Sequence, residues 1–175
     1  MTAAGFPAAQ LHIFVPDGAP KAGNLVAVLP GKDPKAKAVL MLGHIDVVNA
    51  KREDWVRDPV KLTEEGGFFY ARGASDDKSM AAIFTDSMIR FKREGYKPAR
   101  TIKLMLNCGE ESANEFIGAK YMVENHLDLI AAEFALNEGA GGRIDPETGK
   151  YVFNGVQAGE KLYQDFTIEI TNPGG

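Results

Sequence analysis

Three apolar runs in this chain stop in the same manner, and that repetition constrains the fold more than anything else in the sequence. Residues 37–42 run into Gly43-His44-Ile45-Asp46, residues 101–107 into Cys108-Gly109-Glu110-Glu111, and residues 133–136 into Asn137-Glu138-Gly139. Each run is short and β-like. Between the first two, from Lys78, the apolar period changes: Met80, Ile83, Phe84, Met88 and Phe91 recur at helical spacing until Gly95. A second helix is expected over residues 113–125. Strands alternating with helices predict an α/β three-layer sandwich with a largely parallel, mixed central sheet. In such sheets ligands bind outside the carboxyl ends of the strands, and these are the ends that carry the acids.

The remaining chain fits around that frame. Residues 11–15 and 24–29 read as strands, the first closed by Pro16-Asp17-Gly18 and the second by Pro30-Gly31. Residues 61–70 read as a hairpin around Gly66-Gly67. Residues 151–157 and 162–171 read as two further strands. The 175 residues are enough for one domain with a core of its own.

Composition removes several classes of function. The net charge is −4, with acids and bases interspersed, so neither a nucleic-acid groove nor a polybasic membrane patch is expected. No apolar run approaches the roughly 18–20 residues of a membrane span. Cys108 is the one cysteine, so neither a disulfide framework nor a thiolate metal cluster can form. It reads as a packing residue. A lone cysteine fits a reducing, cytoplasmic compartment without fixing it. Any metal must then be held by His, Asp and Glu.

His44 and Asp46 are two residues apart on an extended segment and project to the same face. The carboxylate can fix the imidazole's tautomer and aim it at a metal, or the two can form an ordinary hydrogen-bonded surface pair. Glu110-Glu111 and Asp76-Asp77 read equally well as acids favoured in the first turn of a helix. Their convergence at one rim is different. Such a concentration of negative charge is costly unless cations neutralise it. Imidazole with carboxylates suits zinc or another first-row divalent ion, and several carboxylates suit two ions sharing a bridging ligand. His12 and His126 read as ordinary surface or partly buried residues. A magnesium-dependent phosphohydrolase is disfavoured because the Gly31-Lys32 loop lacks Walker spacing.

Taken in order, GHIDVV, DP at 58–59, GGFFYARGASDDK, GEE and NEG resemble the co-catalytic zinc peptidases and deacylases. This family includes aminoacylase, carboxypeptidases, acetylornithine deacetylase and succinyl-diaminopimelate desuccinylase. The resemblance implies a zinc-exopeptidase-like catalytic domain with two zinc ions, Co2+ or Mn2+ being alternatives. His44, Asp76, Glu111 and Glu138 then correspond to metal ligands, with Asp76 bridging. Glu110 corresponds to the general base and Asp46 to the acid that orients His44. Asp77 falls where the family varies and is not assigned as a ligand.

The implied substrates are peptides or N-acyl amino acids, cleaved at an amide bond. The resemblance also implies elements not matched in these 175 residues: a final histidine ligand, an N-terminal helix, and a lid domain through which a homodimer forms. Weak metal binding at the site lacking that histidine, and little or no turnover from this chain alone, are therefore expected. The alternative is a non-catalytic assembly module that docks through open sheet edges.

Overall fold

The computed structural model describes residues 1–111, 116–159, 162 and 164–174. Its strands are β1 (Leu11–Phe14), β2 (Asn24–Leu29), β3 (Val39–His44), β4 (Thr63–Glu65), β5 (Phe68–Tyr70), β6 (Ile102–Asn107), β7 (Phe134–Leu136), β8 (Gly142–Ile144) and β9 (Tyr151–Asn154). The helices are α1 (Lys78–Arg93), α2 (Gly118–Asn125) and the single turn α3 (Leu127–Ile130). The chain divides into two compact units, residues 1–138 and 139–175.

The first unit is built on a five-stranded sheet in the order β1-β2-β6-β3-β7. β3 runs parallel to β6, from Val39 opposite Ile102 to His44 opposite Asn107. It also runs parallel to β7, from Val39 opposite Phe134 to Met41 opposite Leu136. β1 and β2 are antiparallel to their neighbours, so the sheet is mixed, as the sequence predicts.

Alternation along each strand sends successive side chains to opposite faces, and both faces are covered. On one, Ala27, Leu29, Met41 and Leu104 pack with Met88 of α1 and Phe6. On the other, Val26, Leu40 and Met105 pack with Met122 of α2 and Ile130 of α3. Helix, sheet and helix make the three layers.

α1 begins and ends where the sequence places it. Its last turn carries Arg90, Lys92 and Arg93, cations that favour the negative end of the helix dipole. Gly95, at φ +66°, ends it. The buried stripe differs from the expected one. Ala81, Phe84, Met88 and Phe91 face the sheet, whereas Ile83 is 62% exposed. Helical spacing admits two adjacent stripes, and the small Ala81 is the one that fits closely against Gly43 of β3, its Cα 3.5 Å from the position of a Cβ there.

The second helix is shorter than expected. Residues 113–115 lie outside the described residues, Phe116 and Ile117 are not helical, and α2 starts at Gly118. The expected hairpin is present as β4 and β5. No helix among the described residues is long and apolar enough to cross a membrane.

The second unit contains the hairpin of β8 and β9. β9 ends at Asn154 rather than at 157. The strand expected over 162–171 is not formed by the described residues there, and Leu162, Phe166, Ile168 and Ile170 are exposed. An apolar alternation sets a face, but a strand also needs a partner for its backbone ladder. Tyr163 lies outside the described residues.

Lys103 of β6 ties α3 to the sheet. Its ammonium donates to the backbone carbonyls of Asp128 (3.1 Å) and Ala131 (2.9 Å), at the carboxyl end of α3. Burial pushes this ammonium below its ordinary pKa, with the nearby Asp128 opposing. A lysine whose pKa is depressed by folding binds its proton less tightly in the native than in the unfolded chain. Stability from this group therefore rises with pH up to the ordinary value of 10.5. Urea unfolding between neutral pH and pH ~10 is expected to shift in favour of the native protein relative to Lys103→Met. Parallel pH profiles for the two proteins would disprove the coupling.

Candidate metal centre

The order β6-β3-β7 brings three carboxyl ends side by side, with His44 on the middle strand. His44 is 2% exposed. Its Nδ1 lies 3.2 Å from the backbone carbonyl oxygen of Asp46 and 3.5 Å from the Asp46 carboxylate. Its Nε2 lies 3.0 Å from Asp76, 3.5 Å from Glu138 and 3.9 Å from Glu110. Both ring nitrogens thus face oxygens that only accept. Without a cation that arrangement is satisfied by the imidazolium. Burial alone pushes the His44 pKa down. The hydrogen bond to Asp76 and the charges of Glu138, Glu110 and Asp46 outweigh it and hold the ring above its ordinary value. A divalent ion could take the place of the Nε2 proton, with Nδ1 still donating to Asp46.

Asp46 does more than face the imidazole. Its Oδ2 accepts the Glu111 amide at 3.0 Å. Burial would raise its pKa, but the backbone amides of Glu111, Glu110, Asp46 itself and Gly109 hold it below the usual carboxylate value. Asp46 therefore binds the end of β3 to the loop that carries Glu110 and Glu111. That loop turns on Gly109, at φ +87°.

Glu110 and Glu138 are both pushed up, first by burial. His44 opposes this in each case, and neighbouring carboxylates add to it: Glu111, Asp46 and Asp76 for Glu110, and Glu110, Asp76 and Asp77 for Glu138. The acids repel one another at this rim, which is the electrostatic condition that a bound cation relieves.

Two groups of ligand atoms lie within 4.8 Å of one another: His44, Asp76 and Glu111, and His44, Asp77 and Glu138. The donor set of one imidazole and several carboxylates fits zinc and its first-row neighbours. All six residues singled out from the sequence, His44, Asp46, Asp76, Glu110, Glu111 and Glu138, fall at this rim. His12, on β1, and His126, stacked on Phe14 at 3.9 Å between ring centroids, belong to neither group. Arg72 lies with its guanidinium 5.3 Å from the Trp55 ring centroid, and neither residue belongs to a group.

Asp77 was not among the assigned residues, yet it is 3% exposed and its carboxylate reaches the His44 backbone. The one sequence signal for it is its place just ahead of the α1 apolar period, which also describes an ordinary helix-starting acid.

A buried imidazole amid carboxylates, at the carboxyl ends of parallel strands in an α/β sandwich, defines the class of metal-binding α/β domains. Residues 40–171 match the Peptidase family M20/M25/M40, and the chain belongs to that family. Aminoacylase-1A of Rattus norvegicus is 32% identical over 132 residues, which cover 74% of this chain and 32% of that protein. A protein of Staphylococcus aureus named "Probable succinyl-diaminopimelate desuccinylase" is 35% identical over 116 residues, 63% of this chain and 28% of that one. Among solved structures, the M20 family metallo-carboxypeptidase Sso-CP2 from Sulfolobus solfataricus matches with a TM-score of 0.56 at 26% identity, over 80% of this chain and 30% of that one. The chain spans about a third of the length of the curated relatives it matches.

Proposed function

We propose that this chain is part of the catalytic unit of a zinc-dependent amidohydrolase, acting on a C-terminal peptide bond or on an N-acyl amino acid. The observation that carries the reading is the His44 imidazole, whose Nε2 faces Asp76, Glu138 and Glu110 at 3.0, 3.5 and 3.9 Å. The relatives, named as an aminoacylase, a desuccinylase and a metallo-carboxypeptidase, support the substrate class.

In this reading His44 and Glu138 would hold one zinc ion and Glu111 the other, with Asp76 as the ligand that both would share. Zinc supplies Lewis acidity toward the scissile carbonyl and makes a water more acidic. Glu110 takes the proton of the attacking water and returns it to the leaving nitrogen. Its pKa, raised by burial and by neighbouring acids, moves it toward the range in which a base both accepts and releases a proton readily. Asp46 keeps Nδ1 of His44 occupied, so that Nε2 is the nitrogen offered to the metal.

The two metal positions are unequal. Among the described residues only His44 brings an imidazole to the cluster, so the position held by Glu111 is the weaker. Calorimetric titration with zinc is expected to show one tight equivalent and a weaker second. The loaded chain is expected to release free amine from N-acyl amino acids or dipeptides at most slowly. Chelation is expected to stop that release, and Glu110→Gln to stop it with zinc still bound. Zinc uptake with no change on removal of the cluster residues would overturn this reading. Self-association independent of zinc would favour the assembly module instead.

A further inference from the structure

We infer that Asp77 is a positioning residue that fixes His44 through its main chain, rather than a metal ligand; the inference rests on the zinc reading of the cluster. Asp77 stands immediately before α1, where a carboxylate usually accepts an amide of the helix's first turn. It makes no such bond. Its Oδ2 instead accepts the His44 backbone N–H at 3.2 Å.

The strand geometry explains why an acceptor is needed there. The Ile45 N–H bonds to the Asn107 carbonyl of β6 at 2.9 Å. Successive amides of a strand point to opposite sides, so the His44 N–H points toward the β7 side. The β3–β7 ladder stops at Met41 opposite Leu136. The His44 amide therefore lies beyond the ladder, buried, and without a strand partner. An unpaired buried amide costs free energy comparable to a lost hydrogen bond, and Asp77 removes that cost.

Two neighbours reinforce the anchor. The Lys78 ammonium donates to the Ile45 carbonyl, gripping the next residue of the same strand end. Gly43 lets the helix approach, since a Cβ there would lie 3.2 Å from Asp77 Oδ2 and 3.5 Å from Ala81 Cα. Because Asp77 follows Asp76 directly, one carboxylate sets the separation between the His44 imidazole and the neighbouring Asp76 side chain.

Asp77 is close enough to be a ligand in its own right, as its grouping with His44 and Glu138 shows. The two roles separate by substitution. Asparagine keeps an oxygen acceptor and loses the charge; alanine loses both. As a positioning residue, Asp77→Asn holds zinc affinity within a few-fold, and Asp77→Ala lowers it about 10–100-fold, the range for residues that act through a ligand. As a ligand, both variants lose affinity alike, which overturns the inference.

Hydrogen exchange of the His44 amide in the metal-free chain gives a readout independent of zinc. It is expected to accelerate in Asp77→Ala and to stay slow in Asp77→Asn. Unchanged exchange in Asp77→Ala overturns the inference. If the unaltered chain takes up no zinc, the zinc reading fails, and the His44 amide alone decides the anchor. Should Asp77→Ala not fold, Gly43→Ala carries the test. It is expected to crowd Asp77 away from the amide and to accelerate the same exchange, and unaltered exchange there would also overturn the anchor.

Discussion

Replacing His44 with alanine is expected to weaken zinc binding by more than about 100-fold, beyond the 10–100-fold typical of residues that act through a ligand. His44 is the single imidazole that either metal group offers among the described residues. Without it only carboxylates remain, a donor set better suited to harder cations. Competition for zinc against a chelating dye measures the loss. His126→Ala is the matched control. That ring is stacked on Phe14 at 3.9 Å and belongs to neither group, so its removal is expected to leave zinc affinity where it was. Equal effects from the two substitutions would place the zinc elsewhere.

Gly109→Ala is expected to destabilise the chain by at least about 2 kcal/mol, because two separate costs of about 1–3 kcal/mol each coincide. The first is conformational: φ is +87°, a region that a side chain disfavours. The second is steric: a Cβ there would sit 1.7 Å from the Phe116 carbonyl oxygen and 2.8 Å from its carbon. The backbone must move, and the residues next along it are Glu110 and Glu111. The Glu111 amide would pull away from Asp46, and the weaker zinc equivalent would be lost first. Urea unfolding and zinc titration read the two consequences. Gly95→Ala separates the costs, since Gly95 has φ +66° and nothing within 4 Å of a Cβ. It is expected to lose about 1 kcal/mol, the left-handed penalty alone. If both variants lose the same amount, the contact with Phe116 contributes nothing.

Much of the candidate site was legible because its signals are local. An apolar run that stops at Gly43-His44 marks a strand end from the sequence around it, as does a run that stops at Cys108-Gly109. Parallel strands put like ends at one rim, so finding three such ends was enough to expect His44, Glu110, Glu111 and Glu138 together. The acid types also restricted the metal. The change of period at Lys78 located α1, because helical spacing is visible over several turns.

What the sequence could not fix depends on contacts between segments far apart in the chain. Both Ile83 and Ala81 are compatible with a buried helix face, and only the approach to Gly43 chooses Ala81. The alternation in 164–171 resembles that of 102–107, but a ladder needs a partner, and partners are not written in a strand's own residues. Asp77 is the clearest case. By sequence it is a helix-starting acid like many others. Its role follows from where the β3–β7 ladder stops, because that stopping point leaves one buried amide for it to accept. Period and residue type determined where β3, β6 and α1 form and which chemistry their ends carry. Strand order and ladder length, set by non-local backbone hydrogen bonding, decided which side chain meets which.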